Sequence, residues 1–196
     1  PTGNGGTGST ATTFVNAATN VTGALPIANG GTALTSGFVN GGGLTEADQW
    51  RVTSSFTGDA NPIASNWERN DTDFDKIGTG LTDSSGVFSF PSTGIWLVTA
   101  FFRNLFNGDS RYNEGEINVT SNNSSYNVRG SGSAFIQQTS SSITYNTFSV
   151  SCMIDVSNTS NVKFKISMNV ADNGTTTEGS STQNRTYFTA IRLGDT

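Results

Sequence analysis

Short stretches in which apolar and polar residues alternate follow one another from residue 49 to residue 193, and clusters of Gly, Asn, Asp and Ser separate them. Alternation with a period of two is typical of β-strands, and such clusters favour turns. The pattern predicts strands over residues 49–54, 66–77, 87–90, 95–106, 114–120, 133–138, 143–156, 162–170 and 186–193. A short helical turn capped by Thr45 is predicted before the first strand. This succession of strands predicts an antiparallel β-sandwich or barrel.

The stretch 95–102 differs from the other predicted strands because both of its alternating faces are apolar. One face carries Trp96, Val98, Ala100 and Phe102, and the other carries Ile95, Leu97, Thr99 and Phe101. A strand with one face in water alternates with polar residues, so we expect both faces of this strand to be covered. The cover is either another copy of the chain or a lid or loop within one monomer.

Residues 1–43 form a separate region that contains no Trp, no Tyr and no charged residue. Within it, residues 1–7 align with residues 26–32, and both copies share the pattern Pro-x-x-Asn-Gly-Gly-Thr. Charged residues begin directly after Gly43, so we place the domain boundary between residues 1–43 and residues 44–196. The first region is either a flexible linker or is ordered by wrapping against identical chains, and the repeat favours the second interpretation.

Composition narrows the classes of protein. The 196 residues suit one domain with an additional segment. Only 33% of the residues are hydrophobic, yet 13 Phe, 3 Trp and 4 Tyr can supply a core, and a net charge of -5 is too small to indicate disorder. A pI near 4.5 excludes the basic patch that a nucleic-acid partner needs. The sequence has no run of 18 apolar residues, so we expect no membrane insertion.

Catalytic chemistry has few candidates in this sequence. The chain has no His, which excludes a Ser-His-Asp triad, and its one Cys, Cys152, is interpreted as a small buried apolar residue. Glu114 and Glu116 share a strand face, which is one possible arrangement of a glycosidase pair, but such pairs usually come from separate elements that flank a cleft. We therefore expect no enzymatic activity and no catalytic residues.

Metal binding has one candidate cluster. Asp71, Asp73 and Asp75 point to one face if they lie on a strand, and Ca²⁺ prefers such oxygen ligands. The spacing is not that of an EF-hand, because Lys76 and Thr82 occupy its sixth and twelfth positions. The alternative is a solvated strand edge that discourages aggregation. The expectation is therefore no cofactor and no metal, with Ca²⁺ at these three residues as the alternative.

The loops provide the candidate binding surface. Asn107, Asp109, Arg111 and Tyr112 combine an amide, a carboxylate, a guanidinium and an aromatic ring within six residues, and residues 172–184 form a second polar loop. Glycan recognition uses this mixture, since an aromatic face covers a sugar ring while amides and carboxylates bind its hydroxyls. The alternative is that both are ordinary polar loops.

The segment 86–100 resembles the signature of tumour-necrosis-factor-like and complement-globular-head-like domains. It contains Phe88-x-x-Pro91-x-x-Gly94-x-Trp96, and residues 187–193 resemble the closing strand of that family. The resemblance covers residues 44–196. It implies a jelly-roll sandwich of two antiparallel sheets that assembles as a homotrimer. Candidates for the trimer interface are Trp96, Val98, Phe102, Tyr187 and Ile191.

Residues 25–36, Leu-Pro-Ile-Ala-Asn-Gly-Gly-Thr-Ala-Leu-Thr-Ser, resemble a repeat of bacteriophage tail-fibre and other virion fibre proteins, with Ala33 in place of the usual Gly. Residues 44–51 together with 88–94 resemble C-terminal domains of marine phage fibres. The resemblance implies a virion fibre or tip protein, extracellular when mature. The Pro start and the repeat already under way there favour further chain before Pro1. Residues 1–43 would contact other virion proteins, and the head would bind a host surface glycan or protein. Alternatives are a purely structural virion part and a polysaccharide-degrading tail enzyme.

Overall fold

The computed structural model describes residues 43–72 and 74–196, and every regular element within these two ranges is a β-strand. Two antiparallel sheets face each other, so the expected all-β sandwich is confirmed. The helical turn expected at Thr45 is wrong, because the strand that starts at Ala47 pairs with the last strand of the chain from its first residue. In the described residues, no helix is long and apolar enough to cross a bilayer.

The larger sheet has eight strands. Along the sheet they are β2 (Phe56–Thr57), β12 (Thr176–Thr177), β7 (Gly94–Phe106), β13 (Tyr187–Gly194), β1 (Ala47–Val52) and β3 (Trp67–Arg69), with β10 (Thr144–Val156) beside β7 and β4 (Lys76–Ile77) beside β1. The smaller sheet has five strands, in the order β5 (Thr82–Ser84), β6 (Val87–Ser89), β11 (Lys163–Val170), β8 (Ser110–Thr120) and β9 (Asn127–Ile136).

The space between the sheets is filled by aromatic rings that surround Phe88. Phe88 packs edge-to-face on Trp50 and Trp67, with ring centroids 5.4 Å apart in both pairs. It also contacts Phe188 at 4.6 Å and stacks on Phe164 at 5.2 Å. Aromatic pairs of this kind contribute about 0.5–1.5 kcal/mol each beyond the area they bury. The rings come from both sheets, which explains how a sequence with so few aliphatic residues builds a core.

Strands β9 and β10 run close together along one side of the sandwich, although they belong to different sheets. Two glycines of β9 permit the approach. A Cβ atom at Gly130 would lie 3.0 Å from Val150 Cγ1 and 3.1 Å from the carbonyl oxygen of Ser151, and one at Gly132 would lie 3.1 Å from Val150 Cγ2. The side of the sandwich between β9 and β10 is therefore closed by direct packing of the two strands.

The two ends of the sandwich differ in what they hold. The β7–β8 turn, the β9–β10 loop and residues 171–175 meet at one end, which we call the tip. At the other end, which we call the base, the backbone N–H of Arg192 donates to the carbonyl of Glu46, and β7 begins. The first strand of the compact unit Leu44–Thr196 therefore begins at its base. Residues 1–42 lie outside the described ranges, and the roles assigned to segment 1–43 stay predictions.

Candidate functional site

Strand β7 directs its bulkiest side chains into the core of the single chain. Trp96, Val98 and Phe102 are completely buried between the sheets. Trp96 packs on Phe90 with ring centroids 5.0 Å apart, and Phe102 stacks on Phe148 at 5.1 Å. The prediction that these three residues contact another subunit is therefore wrong. The alternation of β7 is apolar on both faces, so it does not reveal which face points inward, and the larger rings fill the gap between the sheets.

The opposite face of β7 points away from the core. It carries Leu97, Phe101 and Leu105, all half-buried. The ring of Phe101 stacks on that of Tyr187 in β13, with centroids 4.7 Å apart and planes 8° apart, and Leu97 lies opposite Ile191 in the ladder. Two of the predicted interface residues, Tyr187 and Ile191, therefore lie on this outer face. Their contact with a second chain stays a prediction.

Strand β10 extends this outer face with two well-exposed side chains. Met153 is 69% exposed and lies opposite Leu97, while Tyr145 is 51% exposed and lies opposite Leu105. We call the following set the apolar stripe: Leu97, Phe101, Leu105, Tyr145, Met153, Tyr187 and Ile191. These side chains are partly or well exposed, and Thr99 and Arg103 lie between them on β7. Exposed apolar side chains that cluster on neighbouring strands are typical of interaction sites.

A charged cluster interrupts the apolar stripe near the tip, because Arg103 lies between Phe101 and Leu105 on the outer face of β7. Glu178 is 6% exposed, and its carboxylate lies 2.6 Å from Nε of Arg103 and also contacts Arg185. The guanidinium of Arg103 lies over the ring of Tyr145, 4.8 Å from its centroid. A buried carboxylate requires such compensation by opposite charge. The cluster ties the β12 region to β7 and leaves one surplus positive charge beside the stripe.

The outer face of the smaller sheet is polar except at Val128 and Phe135 of β9, and several of its polar side chains hydrogen-bond to one another. The amide of Asn118 donates to Glu116 and to the hydroxyl of Ser167, at 3.2 Å in each case, and Ser167 donates to Asn61 at 3.0 Å. Glu114 lies two residues before Glu116 on the same strand. Glycosidases need two carboxylates on opposite sides of a sugar. Two carboxylates on one face of β8 do not provide that arrangement.

The four candidate binding residues of the tip form two pairs with different roles. Asn107 and Asp109 hold the β9–β10 loop: the side-chain amide of Gln138 donates to Asn107 at 2.7 Å, and its backbone N–H donates to Asp109 at 2.6 Å. Arg111 and Tyr112 are exposed, and they lie in a β-bulge of β8. The structure thus places all four residues at the tip, where the first pair shapes the surface and the second pair points outward. Binding of a receptor there stays a prediction.

A groove of about 370 Å³ lies beside this bulge. Its lining consists of Asp109, Ser110, Arg111, Phe135, Ile136 and Gln137. Phe135 is 67% exposed. The sequence reasoning did not single out this residue. The signal was available, because Phe135 and Ile136 are adjacent in a strand and must point to opposite faces, so one of them faces solvent.

Asp71 and Asp75 do not lie on a strand. The expected single strand over residues 66–77 is wrong, because β3 ends at Arg69 and β4 begins at Lys76. Asp71 accepts from Arg51 at 2.9 Å, and the Arg51 side chain is only 2% exposed, so Asp71 serves as its counter-ion. Asp75 is exposed, and Asp73 lies outside the described residues. In residues 43–72 and 74–196, no group of three or more Cys, Asp or Glu side chains is placed to hold a metal.

Cys152 faces the core from β10 and is half-buried. Burial raises the pKa of its thiol to about 11. The thiol is therefore neutral at physiological pH, and the residue behaves as the small apolar side chain that its sequence position predicted.

The fold is similar to solved structures of the tumour necrosis factor family. Eiger TNF from S. frugiperda matches 79% of this chain and 96% of its own, with 11% identity and a TM-score of 0.57. Murine APRIL at pH 8.5 matches 76% and 98%, with 11% identity and a TM-score of 0.52. No family model and no curated protein matches the sequence. The likeness shows that the described domain has a TNF-like jelly-roll fold, as predicted. Neither structure is described as an enzyme or as a bacteriophage protein.

Proposed function

We propose that the chain is a non-enzymatic, homotrimeric fibre or tip protein of a bacteriophage virion that attaches to the host surface. The observation that carries the proposal is the apolar stripe on the outer face of the larger sheet. Exposed aromatic and aliphatic side chains are costly in water, and burial against other copies removes that cost. Three copies around one axis cover three stripes in a closed assembly. The TNF-like fold supports this arrangement.

The direction of the chain supports the division of roles. The chain enters the head at its base, and the exposed residues Arg111 and Tyr112 lie at the opposite end. Residues 1–43, with their Pro-x-x-Asn-Gly-Gly-Thr repeat, would join the head to other virion proteins. The tip would face away from the particle, toward a host glycan or protein. A trimer presents three equal tips, and simultaneous binding raises overall affinity far above that of one tip.

The mass of the particle in solution tests the assembly. Light scattering at micromolar concentration is expected to give the mass of three chains for the full 196-residue protein. The same mass is expected for residues 44–196, because that unit contains the whole apolar stripe. If only the full chain is a trimer, the repeats in residues 1–43 and not the apolar stripe hold the three chains together. A monomer in both cases would overturn the proposal.

Cell binding tests the attachment role. Fluorescently labelled full chain is expected to bind some members of a panel of marine bacteria, and unlabelled chain is expected to compete. A trimer that binds no member of the panel favours the alternative of a purely structural virion part. Release of reducing sugar from a bound capsule would favour the polysaccharide-degrading alternative.

A further inference from the structure

We propose that the tip groove beside the β8 bulge binds an uncharged hexose residue, with Phe135 as the platform for the sugar ring. The inference deepens the attachment role and rests on it for its biological setting, because it names the class of ligand that the tip receives. Three features of the groove carry it: its geometry, its rigidity and its balance of charge.

The bulge provides the geometry. Ser110 pairs with Ile136 and Asn113 with Ala134, so the two residues between them on β8 face the single residue Phe135 on β9. Bulges re-aim side chains and occur frequently next to binding sites. Here the bulge places an exposed guanidinium beside an exposed phenyl ring. The groove of about 370 Å³ falls within the size range of small-ligand pockets, about 300–1,000 Å³.

The groove is also held rigid before any ligand arrives. The two hydrogen bonds from Gln138 to Asn107 and Asp109 fasten the β7–β8 turn to the end of β9. The turn also packs closely on the Phe106 ring, because a Cβ atom at Gly108 would lie 2.5 Å from it. Pre-organisation of this kind lowers the entropic cost of binding a small ligand.

The charges of the groove select for a neutral ligand. Arg111 and Asp109 line the same groove, and within the described ranges neither side chain forms an ion pair. An anionic ligand would face Asp109, and a cationic ligand would face Arg111. A hydroxyl group both donates and accepts, so neighbouring hydroxyls can donate to the carboxylate and accept from the guanidinium. The C–H face of the sugar ring would then pack on the phenyl ring of Phe135, which is 67% exposed, and shield it from water.

Saturation-transfer NMR on the full chain tests the proposal with methyl glycosides of glucose, galactose and mannose as probes. Glucuronic acid and glucosamine serve as charged counterparts of the same ring. At least one neutral glycoside is expected to receive saturation at its ring C–H protons and to bind more tightly than either charged sugar. Phe135→Ala is expected to weaken that binding about tenfold or more. Val128→Ala, on the same strand and 46% exposed, is the matched control and is expected to change nothing.

The outcomes separate the inference from the proposed function. Binding of no neutral glycoside, equal binding by the Phe135→Ala variant, or preference for a charged sugar would overturn the inference. The light-scattering mass and cell binding are measured on the same samples. A trimer that binds cells but no hexose overturns the inference and leaves the proposed function standing. Hexose binding by a monomer supports the inference and contradicts the proposed trimer.

Discussion

The outer faces of the two sheets differ in how they meet solvent. On the smaller sheet, Asn118, Glu116 and Ser167 bond to one another, and the Lys165 ammonium lies 3.8 Å from the centroid of the Tyr126 ring. On the larger sheet, the apolar stripe presents side chains such as Met153 that are left largely uncovered. Both faces belong to antiparallel sheets that cover the same core, so the difference between the faces does not come from the type of sheet.

The contrast between the two outer faces indicates which exposed surface has a function. A sheet needs one apolar face for its core, and its other face is ordinarily polar. The smaller sheet follows this rule except at Val128 and Phe135 of its edge strand β9, while the larger sheet departs from it along three adjacent strands, β10, β7 and β13. The departure marks the face for which we propose a partner.

A charge placed on each face gives the sharpest test of the comparison. Met153→Glu is expected to reduce the particle from three chains to one, because a carboxylate buried against another chain loses its hydration. Val128→Glu makes the same change on the outer side of β9, where the residue is 46% exposed, and is expected to leave the trimer intact. Light scattering with circular dichroism measures mass and folding together. Dissociation of both variants, or of neither, would remove the distinction between the faces.

The inward face of β7 is expected to act on folding rather than on assembly. Trp96→Ala should lower the free energy of unfolding by about 3–5 kcal/mol, because it leaves a cavity in a fully buried site. Thr99→Ala, on the outer face of the same strand, should change it by less than about 0.5 kcal/mol. Chemical denaturation at one fixed protein concentration provides both values. A small effect of Trp96→Ala would mean that this ring does not fill the core.

The charged cluster permits a weaker comparison. Glu178→Gln leaves Arg103 and Arg185 without their shared carboxylate and should lower the free energy of unfolding by about 1–3 kcal/mol. Glu116→Gln, on the polar face of the smaller sheet, keeps an oxygen that accepts from Asn118 and should cost less than about 0.5 kcal/mol. Equal losses measured by denaturation would show that the charged cluster contributes no more to stability than the polar contacts of the smaller sheet.

The smallest expected effect is the pH dependence due to Cys152. Burial raises its pKa from 9.0 to about 11 in the folded chain, so the unfolded chain ionises first. The stabilisation is complete below pH 9 and is lost as the pH rises toward 11. Burial also raises the pKa of Tyr187 and of Tyr126, so the wild-type protein loses stability at high pH from several groups. Cys152→Ala should flatten the decline between pH 9 and 11, and an unchanged slope would contradict the assignment.

Much of the fold could be predicted from sequence because its long strands alternate clearly. The predicted strand 95–106 corresponds to Gly94–Phe106, 143–156 to Thr144–Val156, and 162–170 to Lys163–Val170. Strand β9 was predicted to begin at Ser133, which is too late. Glycines weaken a strand signal, and here they are required by the neighbouring strand, which a local pattern does not contain.

The candidate site was predicted less well because its placement depends on tertiary contacts. Trp96 and Leu97 both lie in an apolar stretch, and which of them faces the core is decided by the packing of two sheets. Asp71 is acidic by sequence, but its role follows from Arg51, which is 20 residues away along the chain. Asn107, Asp109, Arg111 and Tyr112 lie together at the tip because they are close in sequence, whereas Phe135 reaches them through strand pairing.

The close packing of β9 on β10 has a consequence for particles that carry many copies of a β-protein. Each is the last strand of its sheet, and an open edge strand offers unpaired backbone groups to any neighbouring chain. Because Gly130 and Gly132 let the two strands lie against each other, each shields the edge of the other. Crowded heads can then touch without adding strands to one another. Larger side chains at these two glycines would open that seam and promote aggregation.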